Sequence, residues 1–244
     1  MKDYDPATYG DRMAGAYDDW HGTPEDAEAA AAFLAGLAGP GPALELGIGT
    51  GRVTIPLSRR GIEVHGIDAS EAMVERLREK PGGADIPVMV GDFSGVDVEG
   101  RFSLVYVVFN TFFALLTQED QVCCFENVAG RLEEGGVFVV EAFVPDFAWL
   151  LAGQVTQTKR VEVDRGFLET TRYDTVAQRA YSHNIVMGED GAKLYPVEIR
   201  YAWPSEMDLM ARLAGLRLRE RLGGWDREPF TAQSTNHVSV YERG

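Results

Sequence analysis

Cysteine, histidine and positive charge are all scarce in this chain. Of its 244 residues, two are cysteines and four are histidines. The cysteines are neighbours, Cys123 and Cys124. Adjacent helix residues point in different directions, which argues against a disulfide between them. No Cys/His spacing resembles a zinc site, so no metal is expected. Lys and Arg number 23 against 38 Asp and Glu, a formal charge of −15. Nucleic-acid binding depends on neutralising phosphates with basic side chains. The only compact basic clusters, Arg59-Arg60 and the scattered Arg212 to Arg221, are too sparse for a binding face. DNA, RNA and anionic membranes are therefore not expected as partners. No apolar stretch approaches the roughly 20 residues of a membrane span. Met1-Lys2-Asp3-Tyr4-Asp5 opens no signal-peptide apolar region. A cytoplasmic protein is expected.

What is present is a chain long enough for one large domain, or one domain with a sizeable insertion. From Leu44 to Phe143, short apolar runs alternate with amphipathic stretches. Ala43 to Leu46, Glu63 to Ile67, Ile86 to Val90, Phe102 to Phe109 and Val137 to Phe143 read as five strands. Helices are expected from Thr50 through Arg59, after a Ser70 cap through Arg78, and from the Thr117/Asp120 capping box to Leu132, with Gly135-Gly136 ending that region. Strands this apolar, separated by helices, predict a parallel sheet covered on both faces. After Pro145 the rhythm changes. Val155 to Trp203 alternates in the manner of antiparallel β, with turn signals at Asp164-Arg165-Gly166 and Gly188 to Gly191. Pro204 and Ser205 open a helix, with Asp208 at the reciprocal capping position. Leu216 to Leu222 and His237 to Tyr241 read as a closing hairpin. The organisation expected is a helical N-terminal lid (1–42), an α/β catalytic domain (43–150 and 204–244), and an antiparallel β insertion (151–203).

The turn after the first strand reads Glu45-Leu46-Gly47-Ile48-Gly49-Thr50-Gly51-Arg52. Glycines between a strand and a helix let a ligand approach the backbone where side chains would collide. A dinucleotide fingerprint would need glycine at position 52, where Arg52 stands. Asp68-Ala69 closes the second strand, where a carboxylate can accept from ribose hydroxyls. Gly91-Asp92-Phe93 closes the third, and Val108-Phe109-Asn110-Thr111 the fourth.

Taken in order, these strand ends resemble class I S-adenosylmethionine-dependent methyltransferases, over roughly residues 43–143. The resemblance implies a Rossmann-like fold and S-adenosyl-L-methionine as cofactor, with S-adenosyl-L-homocysteine as product. It makes Glu45, Gly47, Gly49, Thr50, Gly51 and Arg52 the first cofactor-binding motif and places Asp68 and Ala69 at the ribose. Asp92 and Phe93 fall at the adenine, and Val108, Phe109 and Asn110 at the methionine portion, where the substrate pocket begins. The N-terminal Tyr9, Tyr17 and Trp20 resemble the aromatic lid of small-molecule methyltransferases, and Arg12 or Arg52 is available for the cofactor carboxylate. The insertion before a terminal hairpin is similar to the branch that modifies amino sugars and other natural products.

These readings predict methyl transfer to an N or O atom of a small molecule, by a monomer or homodimer. Phe112 and Phe113 are expected to floor the acceptor pocket, and Tyr173, Tyr181, Tyr195, Tyr201 and Trp203 to wall it. His183, in the β insertion, is the expected base. His21, His65 and His237 carry no assigned role. Two other readings stand beside this one: an NAD(P)-dependent oxidoreductase, and a cofactor-binding protein without turnover.

Overall fold

The computed structural model describes residues 1, 4–21, 24–96 and 98–244. Lys2, Asp3, Gly22 and Thr23, all within the expected lid, and Asp97 lie outside the described residues.

A seven-stranded sheet carries the molecule. In chain order its strands are β1 (Ala43–Leu46), β2 (Val64–Asp68), β3 (Val88–Val90), β4 (Phe102–Val107) and β5 (Leu132–Phe143), then β10 (Leu216–Leu222) and β11 (Asn236–Arg243). Their spatial order is β10-β11-β5-β4-β1-β2-β3. The five early strands pair in parallel, while β11 runs antiparallel to β5 and to β10. Every residue of β1 and β4 is buried, the property of parallel strands covered on both faces. Side chains alternate as the pleat requires. Leu104 and Tyr106 join the core under α3 (Pro24–Ala35) and α4 (Thr54–Ser58). Val105 and Val107 join the core under α6 (Gln118–Arg131) and α8 (Pro204–Leu213). Strand β1 lies between β2 and β4, so the chain leaves it in both directions. That reversal is where a doubly wound sheet opens a crevice at its carboxyl edge.

Local chemistry explains the helix starts. Ser70 caps α5 (Glu71–Glu79) by accepting from the Met73 amide at 3.2 Å. Thr117 caps α6 by accepting from the Asp120 amide at 3.0 Å. Three expectations need correction. The helix after the glycine turn is short, starting at Thr54 rather than Thr50, because residues 47–53 wind through the loop first. Gly135-Gly136 end no helix: β5 already begins at Leu132 and runs through them, with a register shift against β4. Asp208 caps nothing; α8 has no side-chain cap, and Asp208 instead accepts from Arg221 at 2.5 Å.

A second, four-stranded antiparallel sheet follows α7 (Phe147–Ala152): β6 (Gln154–Val161), β7 (Arg165–Asp174), β8 (Arg179–Gly188) and β9 (Gly191–Arg200). Arg200, 5% exposed, ties it to the first layer. Its guanidinium donates to Gln121 in α6 at 2.5 Å and to Glu206 in α8 at 2.7 Å. The first two helices, α1 (Thr8–Met13) and α2 (Tyr17–His21), are pinned to the main sheet's helices and loops by carboxylates. Asp11 accepts from the Ser70 hydroxyl at 2.6 Å, and Asp18 accepts from Thr50 at 2.8 Å and from Lys80 at 2.9 Å. Trp20 meets Phe167 of β7 edge-on, with ring centroids 5.2 Å apart. No helix among the described residues is long and apolar enough to cross a membrane.

Candidate active site

The carboxyl edge of the main sheet, α1 and α2, and one face of the second sheet enclose a cavity of about 890 Å³. That is near the upper end for small-molecule sites, with room for a sizeable cofactor and a second molecule.

The glycine turn forms one end. Gly47, Gly49 and Gly51 all have positive φ, at 72°, 55° and 77°, a region that side chains other than glycine enter at a cost. The three differ in what surrounds them. A Cβ on Gly47 would meet Thr111 at 2.3 Å, and one on Gly51 would meet Leu77 at 2.2 Å. A Cβ on Gly49 would meet nothing within 4 Å. Gly47 and Gly49 line the cavity, as do Asp68 and Ala69 beside them. Asp68 holds the turn from β2, accepting from the Gly49 amide at 2.7 Å and the Ser70 amide at 2.9 Å. Burial raises its pKa against those two donors. Asp92 and Phe93 line the wall after β3, Phe109 and Asn110 the wall after β4, and Tyr9, Tyr17 and Trp20 the wall under the N-terminal helices.

The remaining residues assigned to the cofactor support this surface from behind. Glu45 is buried, accepts from Thr54 and from Tyr106, the latter at 3.0 Å, and is pushed up to about 7 by burial. Thr50 is engaged with Asp18, and Gly51 packs on Leu77. Val108 is buried in the core under α3. Arg52 lies over the Phe109 ring, 4.3 Å from its centroid. Arg12 is exposed and does not line the cavity.

On the acceptor side the structure overturns several expectations. His183 and Tyr181 point away from the cavity. They lie with Thr170 and Arg172 in a hollow on the outer face of the second sheet, while Ala180, Ser182 and Asn184, alternating with them, face inward. The alternation of a strand allows one set inside, not both. Phe112 and Phe113 are fully buried and pack on Phe125 and Phe143 in the core. Their neighbours Thr111, Ala114, Leu115 and Leu116 reach the cavity instead, and Tyr201 lines it.

His21 is the imidazole that sequence reasoning passed over. It lines the cavity with its ring 4.8 Å from Tyr17 and 4.9 Å from Phe109, and its Nε2 is 3.2 Å from the Tyr9 hydroxyl. Its position four residues after Tyr17 on one helix was the available signal. Burial, then the nearby Arg52 charge, pushes its pKa down to about 4. Tyr173 of the second sheet lines the cavity, as its aromatic stretch led one to expect, and Asn184 with Trp149 and Leu150 of α7 line it without having been singled out.

The geometry fits adenosylmethionine on one observation above all. Of the turn's three glycines, only Gly49 has open space where a side chain would stand, and it lines the cavity beside Asp68. Comparison with known proteins agrees. A family model described as a methyltransferase domain matches residues 43–136. The solved structure of the CcbJ methyltransferase from Streptomyces caelestis is 43% identical, with TM-score 0.94 over 99% of this chain and 100% of that one. The cypemycin N-terminal methyltransferase of a Streptomyces species is 29% identical over 201 residues, 82% of each chain. The fold is shared with CalS10, an amino pentose methyltransferase from Micromonospora echinaspora, at 19% identity and TM-score 0.69, over 94% of this chain and 95% of that one. These likenesses remove the oxidoreductase reading. The chain belongs to the class I S-adenosylmethionine-dependent methyltransferases.

Proposed function

We propose that this enzyme methylates an amine nitrogen of a small natural-product-like molecule. Residues 1–42 serve as a lid, 43–150 and 204–244 as the catalytic domain, and 151–203 as the acceptor-side roof. Asp68 would hold the ribose, Asp92 and Phe93 the adenine, and the backbone of Gly47 and Gly49 the methionine part. Tyr9, Tyr17 and Trp20 would cover it. When bound, the cofactor supplies a methyl group already activated by a sulfonium. What the chain must add is alignment and exclusion of water, and alignment alone is worth up to roughly 7–11 kcal/mol.

The observation that carries the choice of nitrogen is the state of the groups lining the cavity. A hydroxyl acceptor often needs a base, whereas a neutral amine brings its own lone pair. His21, pushed down to about 4, is too weak a base near neutral pH. Tyr9, Tyr17, Tyr173 and Tyr201 all have raised pKa values through burial, which disfavours phenolate. The carboxylates have other partners. Asp68 and Asp92 accept from backbone amides and Asp146 caps α7. Asp120 serves the α6 cap, Glu169 pairs with Lys159 and Glu198 with Arg179. The similarity to the cypemycin N-terminal methyltransferase supports the same direction. Tyr173, Tyr201, Ser182 and Asn184 offer uncharged polar contacts to the acceptor's body, beside apolar Trp149 and Leu150.

Incubation with methyl-labelled adenosylmethionine and a panel of secondary amines, primary amines, alcohols and phenols tests this. The expected product is an N-methyl amine, formed faster as pH rises through the acceptor's own pKa. Label in alcohols or phenols alone would overturn the assignment.

A further inference from the structure

Two consecutive residues after β4 adopt the left-handed conformation, and neither is glycine: Phe109 at φ 57° and Asn110 at φ 63°. Asn tolerates this region, but a bulky ring does not enter it freely. Such residues are strained and persist only where their surroundings over-determine them. Here the surroundings are identifiable. The Phe109 amide donates to the Glu141 carboxylate at 2.5 Å. In return the Asn110 side-chain oxygen accepts from the Phe143 amide at 2.6 Å. The Asn110 amide donates to the Glu141 carbonyl at 3.3 Å. The last β4–β5 pair is Val107 with Val140, so side chains take over the cross-strand bonding at the point where the ladder stops.

Three further contacts connect this clamp to the cavity. Phe109 is contacted by the Arg52 guanidinium, 4.3 Å from its centroid, and edge-on by the His21 ring at 4.9 Å. Thr111, next along, fills the space beside Gly47 that a Cβ would occupy. Phe109, Asn110 and Thr111 all line the cavity, while Glu141 does not. If the turn relaxed to right-handed geometry, the Phe109 ring and Thr111 would leave the glycine turn, and the wall between cofactor and acceptor would open.

We propose that Glu141 is a positioning residue for methyl transfer, clamping the strained Phe109-Asn110 turn that sets the wall between cofactor and acceptor. This rests on the cavity being the methyl-transfer site. Displacing a reacting group by about 1 Å can cost on the order of 10²-fold in rate. A broken clamp therefore acts mainly on kcat, with a smaller effect on cofactor affinity, which the Asp68 side of the cavity governs.

The test compares Glu141→Gln, which keeps an oxygen for the Phe109 amide, with Glu141→Asp, one methylene short of it, and Glu141→Ala. Two readouts are taken: turnover of the amine that the parent enzyme methylates in the panel above, and the Phe109 amide signal in ¹H–¹⁵N spectra with adenosylhomocysteine bound. The expected result for Asp and Ala is a roughly 10- to 100-fold fall in kcat. Adenosylhomocysteine Kd should move less than about threefold, and the Phe109 amide proton should shift upfield. Gln should stay within a few-fold of the parent. Folded Asp or Ala variants with parental kcat, or an unmoved Phe109 amide, would overturn the proposal. So would losses of kcat and affinity that merely track the loss of Tm. If Ala fails to fold, the Asp and Gln pair carries the same comparison. A parent that methylates no amine refutes the proposed acceptor instead, and the amide signal still decides the clamp.

Discussion

Replacing Gly49 by Ala separates the binding role of the glycine turn from its folding role. At φ 55°, an alanine there costs roughly 1–2 kcal/mol of backbone strain. It adds no clash, because the new Cβ has nothing within 4 Å. In a protein of this size each kcal/mol moves Tm by about 2–4 °C, so the ligand-free variant should melt roughly 2–8 °C below the parent. The parent, given adenosylhomocysteine at about a hundred times its Kd, gains roughly 2.7 kcal/mol and should rise by about 5–11 °C. In Gly49→Ala the methyl group occupies the side of the turn from which a ligand approaches the backbone, so this rise should largely vanish at the same ligand concentration. Gly51→Ala provides the contrast. Its Cβ would lie 2.2 Å from Leu77 at φ 77°, so it pays for both strain and overpacking and should melt lower than Gly49→Ala without ligand. Thermal-shift curves with and without adenosylhomocysteine measure all of this. A Gly49→Ala protein that retains the full ligand-induced rise would refute the reasoning, because the open space beside Gly49 would then not be where the cofactor sits.

Asp68→Ala removes a charged acceptor from the proposed ribose site and frees the Gly49 and Ser70 amides. It should weaken adenosylhomocysteine by about 1–3 kcal/mol, roughly 5- to 150-fold in Kd by calorimetry; unchanged affinity in a folded variant would remove Asp68 from that site. His183→Ala alters the outer face of the second sheet, so methyl-transfer turnover should stay within about twofold of the parent. A drop of tenfold or more would return His183 to the reaction.

What the sequence made legible was local. The Gly47-to-Gly51 turn, the Asp68 and Asp92 strand ends, the Ser70 and Thr117 caps and the change of rhythm after Pro145 each depend on residues within a few positions of one another. Backbone preferences and capping geometry act over that same range, so these features survive reading in one dimension. That the sheet is parallel follows nearly as directly, since apolar strands separated by helices have to be covered on both faces.

The acceptor side was decided by tertiary structure. Alternation along β8 separates Ala180, Ser182 and Asn184 from Tyr181 and His183, but which set faces inward depends on how the second sheet docks. A buried Arg200 reaching Gln121 and Glu206 helps fix that docking. Phe112 and Phe113 have the composition of a pocket floor and of a core alike; a short 3₁₀ turn, Thr111–Ala114, turned both rings into the core and left Thr111 and Ala114 at the cavity. His21 acquired its place when α2 met the Phe109 wall, a contact 88 positions away in the chain. Motif residues are set by what the backbone does next to them, and the sequence alone was enough to place them at the strand ends. Side chains that meet across layers are set by packing, and their identity without their partners left both outcomes open.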